Sequence, residues 1–160
     1  LSLPKHTFYV DNLFAFQPLP YVDTMYYLDV DLYRYFIGRE GQSVQEETML
    51  KRIDQQLLVN RLMIDTMQLS LRENKKRYAY MVKYLTMISV VSTILLVRSG
   101  TKEHLKKKDE LWQYLKFEKP WLYRNVNHTL LGKAIQRKTW AGRKFLSVMY
   151  DISQKIFAFN

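Results

Sequence analysis

Hydrophobic residues recur at steps of three and four through the middle of the chain, which is the spacing of one helix face. Ser43 followed by Glu46 is a capping-box pattern, so we predict a long helix over 44–72. Extra apolar positions widen the stripe and favour packing in a helical bundle over a dimeric coiled coil, and Asn60 could fix the register in either case. The seam consists of Leu50, Ile53, Leu57, Asn60, Ile64, Met67 and Leu71.

A nearly uncharged run of fourteen residues, 84–97, predicts a second helix over 75–98 that Ser99-Gly100 ends. About twenty residues are needed to span a bilayer, so the run favours a buried helix over a membrane span. Thr101 begins a third helix in which Glu103 and Lys107 form an i,i+4 pair. We predict basic helices from there over 101–158.

The first forty residues carry a different pattern. Segments 24–28 and 32–37 are rich in Tyr, Phe, Val and Ile, and Asp29-Val30-Asp31 separates them, so we predict two short strands joined by a turn. A short capped helix is expected from Asp11, ended by Pro18 and Pro20. The predicted fold is therefore mainly α, with a small α/β N-terminal part followed by a helical bundle.

Charge and aromatic residues divide the chain in the same way. Residues 1–50 have a net charge of −4, whereas 51–100 and 101–160 have +6 and +8. Ten of the 23 aromatic residues lie between Phe8 and Phe36, so the acidic front is also the aromatic front. Cysteine is absent, which excludes disulfides, thiolate zinc sites and a cysteine nucleophile. The three histidines are too scattered for a close metal-ligand motif.

Two stretches could carry chemistry. Asp11 lies at a predicted helix start after an extended aromatic segment, where a carboxylate can accept a proton from a hydroxyl or can simply cap the helix. Arg34, Arg39 and Ser43 belong to a Gly-flanked cationic stretch before the long helix, a place that suits anions. The alternative is that the arginines are solvated or paired with nearby acids, and that Ser43 only caps.

Together these stretches resemble the C-terminal half of bacterial family 2 glycosyltransferases, which are inverting enzymes of the GT-A fold. The resemblance covers roughly residues 4–60, and the basic helical remainder only loosely. Its motifs are Phe8-Tyr9-Val10-Asp11-Asn12-Leu13-Phe14, Tyr26-Tyr27-Leu28, Leu32-Tyr33-Arg34-Tyr35 and Gly38-Arg39-Glu40-Gly41-Gln42-Ser43-Val44.

The resemblance implies roles for individual residues. Asp11 matches the aspartate of the family's Glu-Asp motif, the general base that deprotonates the acceptor hydroxyl, and Val10 stands where glutamate is usual. Arg39, Gln42 and Ser43 match the loop beside the active site, where contacts to donor phosphate or acceptor are expected. Arg34 is a fourth expected substrate-binding residue.

The resemblance also implies a missing part. The family's nucleotide-binding half, with its metal-binding Asp-x-Asp, would precede Leu1, so we expect no cofactor in this chain and Mn²⁺ or Mg²⁺ in the full-length enzyme. We interpret Asp29-Val30-Asp31 as a turn because the metal motif precedes the base in the family's order. The first residue is not Met, which suggests a fragment or a processed chain. Because the nucleotide-binding half is expected elsewhere, we expect this chain to be inactive alone. The expected division is 1–44, an acceptor-side piece, and 45–160, a helical region.

The basic, aromatic back half is open to three interpretations: a solvated face over an aromatic core, a membrane-surface region, or a nucleic-acid site. We expect a nucleotide-sugar donor and a glycan or lipid-linked acceptor as partners, and no nucleic acid. Peripheral contact of the C-terminal helices with the inner face of the membrane, from the cytoplasm, and self-association are further expectations. The competing hypothesis is a non-enzymatic helical module that binds proteins through the seam or binds a membrane surface.

Overall fold

The computed structural model describes residues 1–34, 36, 45–128 and 140–157. This part of the chain is mainly helical, as the sequence predicts. Two short 3₁₀ segments, Leu19–Tyr21 and Leu69–Glu73, accompany the α-helices. The α-helices are α1 (Val10–Phe16), α2 (Glu46–Lys51), α3 (Ile53–Thr66), α4 (Lys75–Ser99), α5 (Lys102–Glu118), α6 (Pro120–His128) and α7 (Trp140–Phe157).

Helix α4 is the centre of the fold, and α2, α3, α5, α6 and α7 all contact it. It contributes Met81, Leu85 and Leu96 among its buried residues to one continuous hydrophobic core. Helix α1 packs on α3 and inserts the fully buried Leu13 and Phe16 into the same core. The front of the chain is therefore anchored to the bundle by two apolar side chains.

The helix ends agree with the sequence. Helix α4 ends at Ser99, and Gly100 follows with φ 65°, a left-handed conformation that glycine adopts without steric cost. The Thr101 side chain then accepts a hydrogen bond of 3.1 Å from the His104 amide at the start of α5. The predicted helix over 75–98 and the helix start at Thr101 are both confirmed.

The long helix predicted over 44–72 is wrong in two respects: it is interrupted, and its α-helical part ends early. Arg52, with φ −113° and ψ 20°, separates α2 from α3, and α3 ends at Thr66. The Thr66 hydroxyl donates to the Leu62 carbonyl oxygen at 2.9 Å, a side-chain bond of a kind that bends helices, and Met67 then continues in an extended conformation. Residue 44 lies outside the described residues, and the first described helical residue of the predicted segment is Glu46.

The two predicted strands are not formed in the described part of the chain. Residues 22–34, which we call the aromatic arm, run as exposed chain without regular secondary structure. The predicted turn between the two segments is present as a three-residue turn. The Leu32 amide donates to the Val30 carbonyl oxygen at 2.9 Å. A strand needs a neighbouring strand to satisfy its amides and carbonyls, and no other described segment pairs with the arm in this way. The small α/β unit is therefore absent from that part.

The seam residues 53, 57, 60, 64, 67 and 71 are all buried inside the bundle, and a ladder of polar pairs crosses it. Gln56 Nε2 donates to Ser92 Oγ at 3.2 Å, and Asn60 Nδ2 donates to Ser89 Oγ at 3.1 Å. Helix α5 adds a third pair with α4, because Trp112 Nε1 donates to Thr93 Oγ1 at 3.0 Å. A one-turn slip of α3 along α4 could retain at most one of the two α3–α4 pairs, so Gln56 and Asn60 together favour the observed register.

Helix α4 is long and apolar enough, by length and composition alone, to cross a membrane. In this structure 56% of its apolar window is buried inside the protein. The mostly buried core helix of a soluble protein passes the same test of length and composition.

Candidate functional site

The first turn of α1 holds the carboxylate singled out by the sequence. Asp11 is exposed and is the second residue of the helix, whereas Tyr9 is the N-cap residue and its side chain makes no capping hydrogen bond. The interpretation of Asp11 as a plain helix cap is therefore wrong. Its side chain stays available to solvent, and a negative charge in a first helical turn is stabilised by the helix dipole.

The backbone before Asp11 is in an uncommon conformation. Tyr9 has φ 66° and His6 has φ 53°, values in the left-handed region that non-glycine residues rarely adopt. The Tyr9 carbonyl oxygen accepts hydrogen bonds from the Asn12 amide at 3.2 Å and from Asn12 Nδ2 at 3.1 Å. Such conformations persist where surrounding contacts hold them, and they are frequent at functional sites.

Helix α3 supplies contacts that hold this turn from one side. The Phe8 amide donates to Gln55 Oε1 at 2.7 Å, and the guanidinium of Arg52 lies 3.5 Å from the centre of the Phe8 ring. The stacking is a cation–π contact, and it places the helix break at Arg52 directly against the segment that leads into Asp11.

Helix α4 holds the turn from the other side through Tyr84. The Tyr84 hydroxyl donates to Asn12 Oδ1 at 3.1 Å, and its ring meets the buried Phe16 ring edge to face at 5.6 Å. Asn12 is the immediate neighbour of Asp11, so the backbone of the exposed carboxylate is fixed by residues from both central helices.

Both tyrosines beside the turn keep their protons. Burial raises the pKa of the Tyr84 phenol, and the negative charge of Asp11 raises it further. Burial likewise raises the pKa of Tyr9, although nearby Arg52 acts in the opposite direction. Two neutral phenols therefore flank a carboxylate, and the Tyr84 hydroxyl remains a hydrogen-bond donor well above neutral pH.

Two open clefts lie near the front of the fold, and neither is lined by Asp11. One, of about 450 Å³, lies beyond the other end of α1 and is lined by Gln17, Pro18 and Gln68 among others. The second, of about 380 Å³, lies at the start of α4 beside Asn74, Arg77 and Tyr80. Asp11 is exposed to solvent away from these two clefts.

The other predicted site residues are not brought to Asp11 by the described structure. Arg39, Gln42 and Ser43 fall within 37–44, which lies outside the described residues. Arg34 is exposed in the aromatic arm, and within the described part of the chain no ion pair joins it to Asp11. Their substrate-binding roles stay predictions.

The described residues do not fit a divalent metal site. Across 1–34, 36, 45–128 and 140–157, no three histidine or carboxylate side chains converge as metal ligands. Asp29 and Asp31 lie on the exposed arm, where the Tyr27 hydroxyl is 3.5 Å from Asp29 Oδ1. A pair without further oxygen ligands would hold such an ion poorly.

Sequence reasoning did not find the residues that support Asp11. Tyr84 lies in the nearly uncharged run, where an aromatic residue signals a buried helix and nothing more. Gln55 and Arg52 lie on polar positions of the seam helix, and their contacts with Phe8 join segments far apart in sequence. Asn12 could have been suspected, because it adjoins the candidate base.

Comparison of the chain with models of protein families, with curated proteins and with solved structures finds no match. Function is therefore inferred from the residues of this chain, their geometry and the resemblance of its motifs.

Proposed function

We propose that this chain is the C-terminal part of an inverting family 2 glycosyltransferase in which Asp11 is the general base. The observation that carries the proposal is the geometry around Asp11. Its carboxylate is exposed, yet its turn is anchored to α3 through Phe8 and to α4 through Tyr84. A general base needs access to a substrate proton together with a fixed position, and this turn offers both.

In the proposed step Asp11 accepts the proton of an acceptor hydroxyl. The hydroxyl oxygen then forms a bond to the anomeric carbon of the donor sugar, while the bond from that carbon to the nucleotide diphosphate breaks. The diphosphate leaves with the bonding electrons, and the anomeric configuration inverts. The chain's own contribution is the carboxylate and its rigid support, and the residues that bind donor and metal belong to the absent half.

The aromatic arm supports the proposal that this chain is one piece of a larger protein. Met25, Tyr26, Tyr27, Leu32 and Tyr33 are each at least 80% exposed, and the arm has no regular secondary structure. Contiguous exposed apolar surface of this kind marks an interaction site. In the proposed enzyme the acceptor-side segment 1–44 packs against the donor-binding half, which would cover it.

The seam does not favour the competing protein-interaction module. Leu57 and Ile64 are buried against the other helices of the same chain, so they are not available to a partner helix. Substitutions at these positions are expected to destabilise the fold itself.

The decisive test replaces Asp11 in the complete enzyme. Asp11→Asn keeps the size and hydrogen-bonding shape of the side chain but removes its basicity, so transfer should fall by about a thousandfold or more while circular dichroism stays unchanged. Asp54→Asn is the matched control, because Asp54 is an exposed carboxylate of α3 whose partner is Lys107 at 2.8 Å. Full turnover in Asp11→Asn would refute the catalytic assignment.

A binding experiment separates the half-enzyme from a complete one. UDP- and GDP-sugars with Mn²⁺ are titrated into this chain and into a protein extended at its N-terminus. The proposal requires binding and transfer by the extended protein alone. Tight binding by this chain would mean that the donor site lies within its 160 residues, and it would contradict the proposal.

A further inference from the structure

The cleft at the start of α4 contains an aromatic ring and two cations. Its volume is about 380 Å³, and we call it the α4 cleft. It is lined by Tyr80, Lys76, Arg77 and Asp23 and by two apolar side chains of the aromatic arm, Val22 and Met25. Ligand sites are concave and mostly apolar, with a few polar groups that fix the orientation of the ligand, and the α4 cleft has this composition.

Tyr80 differs from the other two tyrosines of α4. The Tyr78 hydroxyl accepts a hydrogen bond from Asn125 Nδ2, and the Tyr84 hydroxyl donates to Asn12 Oδ1. Tyr80 is 56% exposed, and its hydroxyl has no hydrogen-bond partner among the described residues. Its ring meets the Tyr84 ring edge to face, with the centroids 6.3 Å apart. The Tyr80 ring is therefore supported by a neighbour and still open to the cleft.

The cations of the α4 cleft are not neutralised by its carboxylate. The Arg77 guanidinium donates to the Pro20 carbonyl oxygen at 2.5 Å and lies 3.6 Å from Asp23. The Asp23 side chain is 94% exposed, so this ion pair is weak. Lys76 is exposed, and no acidic side chain in the described part of the chain pairs with it. An uncompensated cation thus lies four positions before Tyr80, on the same face of α4.

Tyr84 connects the α4 cleft to the candidate base. Tyr80 lies one helical turn before Tyr84, and the Tyr84 phenol is close enough to Asp11 for that carboxylate to raise its pKa. Helix α1 has seven residues, and the 3₁₀ segment after it brings Leu19 to the cleft. Seven helical residues rise by about 10 Å. An extended ligand of several rings therefore occupies the cleft and still presents a hydroxyl to Asp11.

We propose that the α4 cleft binds an anionic sugar of the acceptor, with the Tyr80 ring packed on its C–H face and Lys76 bound to its anionic group. The apolar face of a sugar ring matches a tyrosine ring, and an ammonium forms charge-assisted hydrogen bonds with a carboxylate or a phosphate. Tyr80 and Lys76 then determine which acceptor is held while Asp11 takes the proton. The acceptor role rests on the proposed function, whereas binding of an anionic sugar does not.

Titration followed by nuclear magnetic resonance tests the site in the full chain. Glucuronate and glucose 6-phosphate should shift the backbone amides of residues 74–80 and 22–25. Neutral glucose should bind about fivefold more weakly, because it lacks the charged contact. Tyr80→Ala should lower the glucuronate affinity by about fivefold, and Tyr80→Phe should preserve it because the ring is retained. Lys76→Gln should lower the glucuronate affinity to that of glucose.

Two variants on α5 are the matched controls. Lys102→Gln removes an exposed lysine from the first turn of that helix, as Lys76→Gln does in α4, and Phe117→Ala removes an aromatic side chain with 73% exposure. Neither should change the glucuronate affinity, and circular dichroism should show that every variant keeps its helical content. Equal affinities for glucose and glucuronate, or undiminished binding by Tyr80→Ala and Lys76→Gln, would overturn the proposal. So would shifts of the same amides by UDP, since the cleft would then serve the donor.

Kinetics of the complete enzyme separate this inference from the proposed function. Tyr80→Ala should raise KM for an acceptor ending in glucuronate by about fivefold and lower kcat by less, whereas Asp11→Asn should lower kcat. Glucuronate binding in the cleft together with full turnover in Asp11→Asn would refute the catalytic assignment and uphold the sugar site. Loss of transfer in Asp11→Asn without amide shifts at 74–80 would overturn the sugar site alone.

Discussion

The aromatic arm and the central helices α3, α4 and α5 are both rich in hydrophobic residues, yet the arm exposes these side chains and the helices bury them. In the arm, Leu32 and Tyr26 are more than 80% exposed and the backbone has no regular structure. In the central helices even polar side chains such as Asn60 and Ser92 are buried completely. The arm has strong β-propensity but forms no strand among the described residues, whereas the amide of Asn60 donates to Ser89 and the amide of Gln56 donates to Ser92 inside the bundle.

This difference shows that the availability of hydrogen-bond and packing partners, more than the secondary-structure propensity of a segment, decides which segments of this chain are ordered. A helix satisfies its own backbone groups, so α4 needed only an apolar face to be buried. A strand depends on a neighbour, and its propensity is largely a measure of packing on a pleated surface. We expect the arm to become ordered when a suitable surface is present, and three measurements on the isolated chain test this contrast.

The largest effect is expected in hydrogen exchange. Amides of the arm, such as that of Leu28, should exchange at nearly the intrinsic rate, whereas the Val90 amide in the middle of α4 should be slower by about three orders of magnitude or more. Mass spectrometry of peptic peptides measures both segments in one experiment. Slow exchange throughout 24–34 would contradict the contrast, since it would require backbone hydrogen bonds in the arm.

One substitution made in both regions should give the next largest effect. Leu85 is fully buried in α4, so Leu85→Ala should lower the free energy of unfolding by about 3 kcal/mol through lost burial and a cavity. Leu32→Ala in the arm should change it by less than about 0.5 kcal/mol. Urea unfolding followed by circular dichroism measures both, and a large loss for Leu32→Ala would show that the arm is packed.

The smallest effect concerns the polar ladder. The Asn60 to Ser89 hydrogen bond predicts a coupling of about 1 kcal/mol in a double-mutant cycle of Asn60→Ala with Ser89→Ala. The comparison cycle uses Thr86→Ala, because the Thr86 hydroxyl donates to the Val82 carbonyl oxygen of its own helix. Equal couplings with Ser89 and Thr86 would mean that Asn60 does not recognise its partner across the helices.

Much of the fold could be predicted because its signals are local. Gly100 and Thr101 mark the boundary between α4 and α5 in the sequence, and the structure has the boundary there. The seam around Asn60 indicated the buried face of α3. The break at Arg52 could not be predicted, because it coincides with a contact to Phe8 from a distant segment. The strands predicted over 24–28 and 32–37 are not formed among the described residues, because propensity does not reveal whether a neighbouring strand exists.

The candidate site was predictable only in its most exposed part. Asp11 could be selected because an acidic residue follows an extended aromatic segment, but its position inside the first helical turn depends on the left-handed backbone at Tyr9. The role of Tyr84 depends on how α1 docks on α4, since its bond to Asn12 joins residues 72 positions apart. Contacts over such separations are properties of the tertiary fold.

Arg98 gives the fold a mechanical link. The same guanidinium that holds Asp151 of α7 also bonds Glu46 Oε1 of α2 at 2.7 Å, and it is mostly buried between them. Glu46 follows the stretch 37–44, which carries Arg39, Gln42 and Ser43, with only Gln45 between them. A displacement of α7 must therefore either break an ion pair or pull on the first turn of α2. Force applied at the C-terminal helix is transmitted through one side chain to the helix next to the predicted substrate loop.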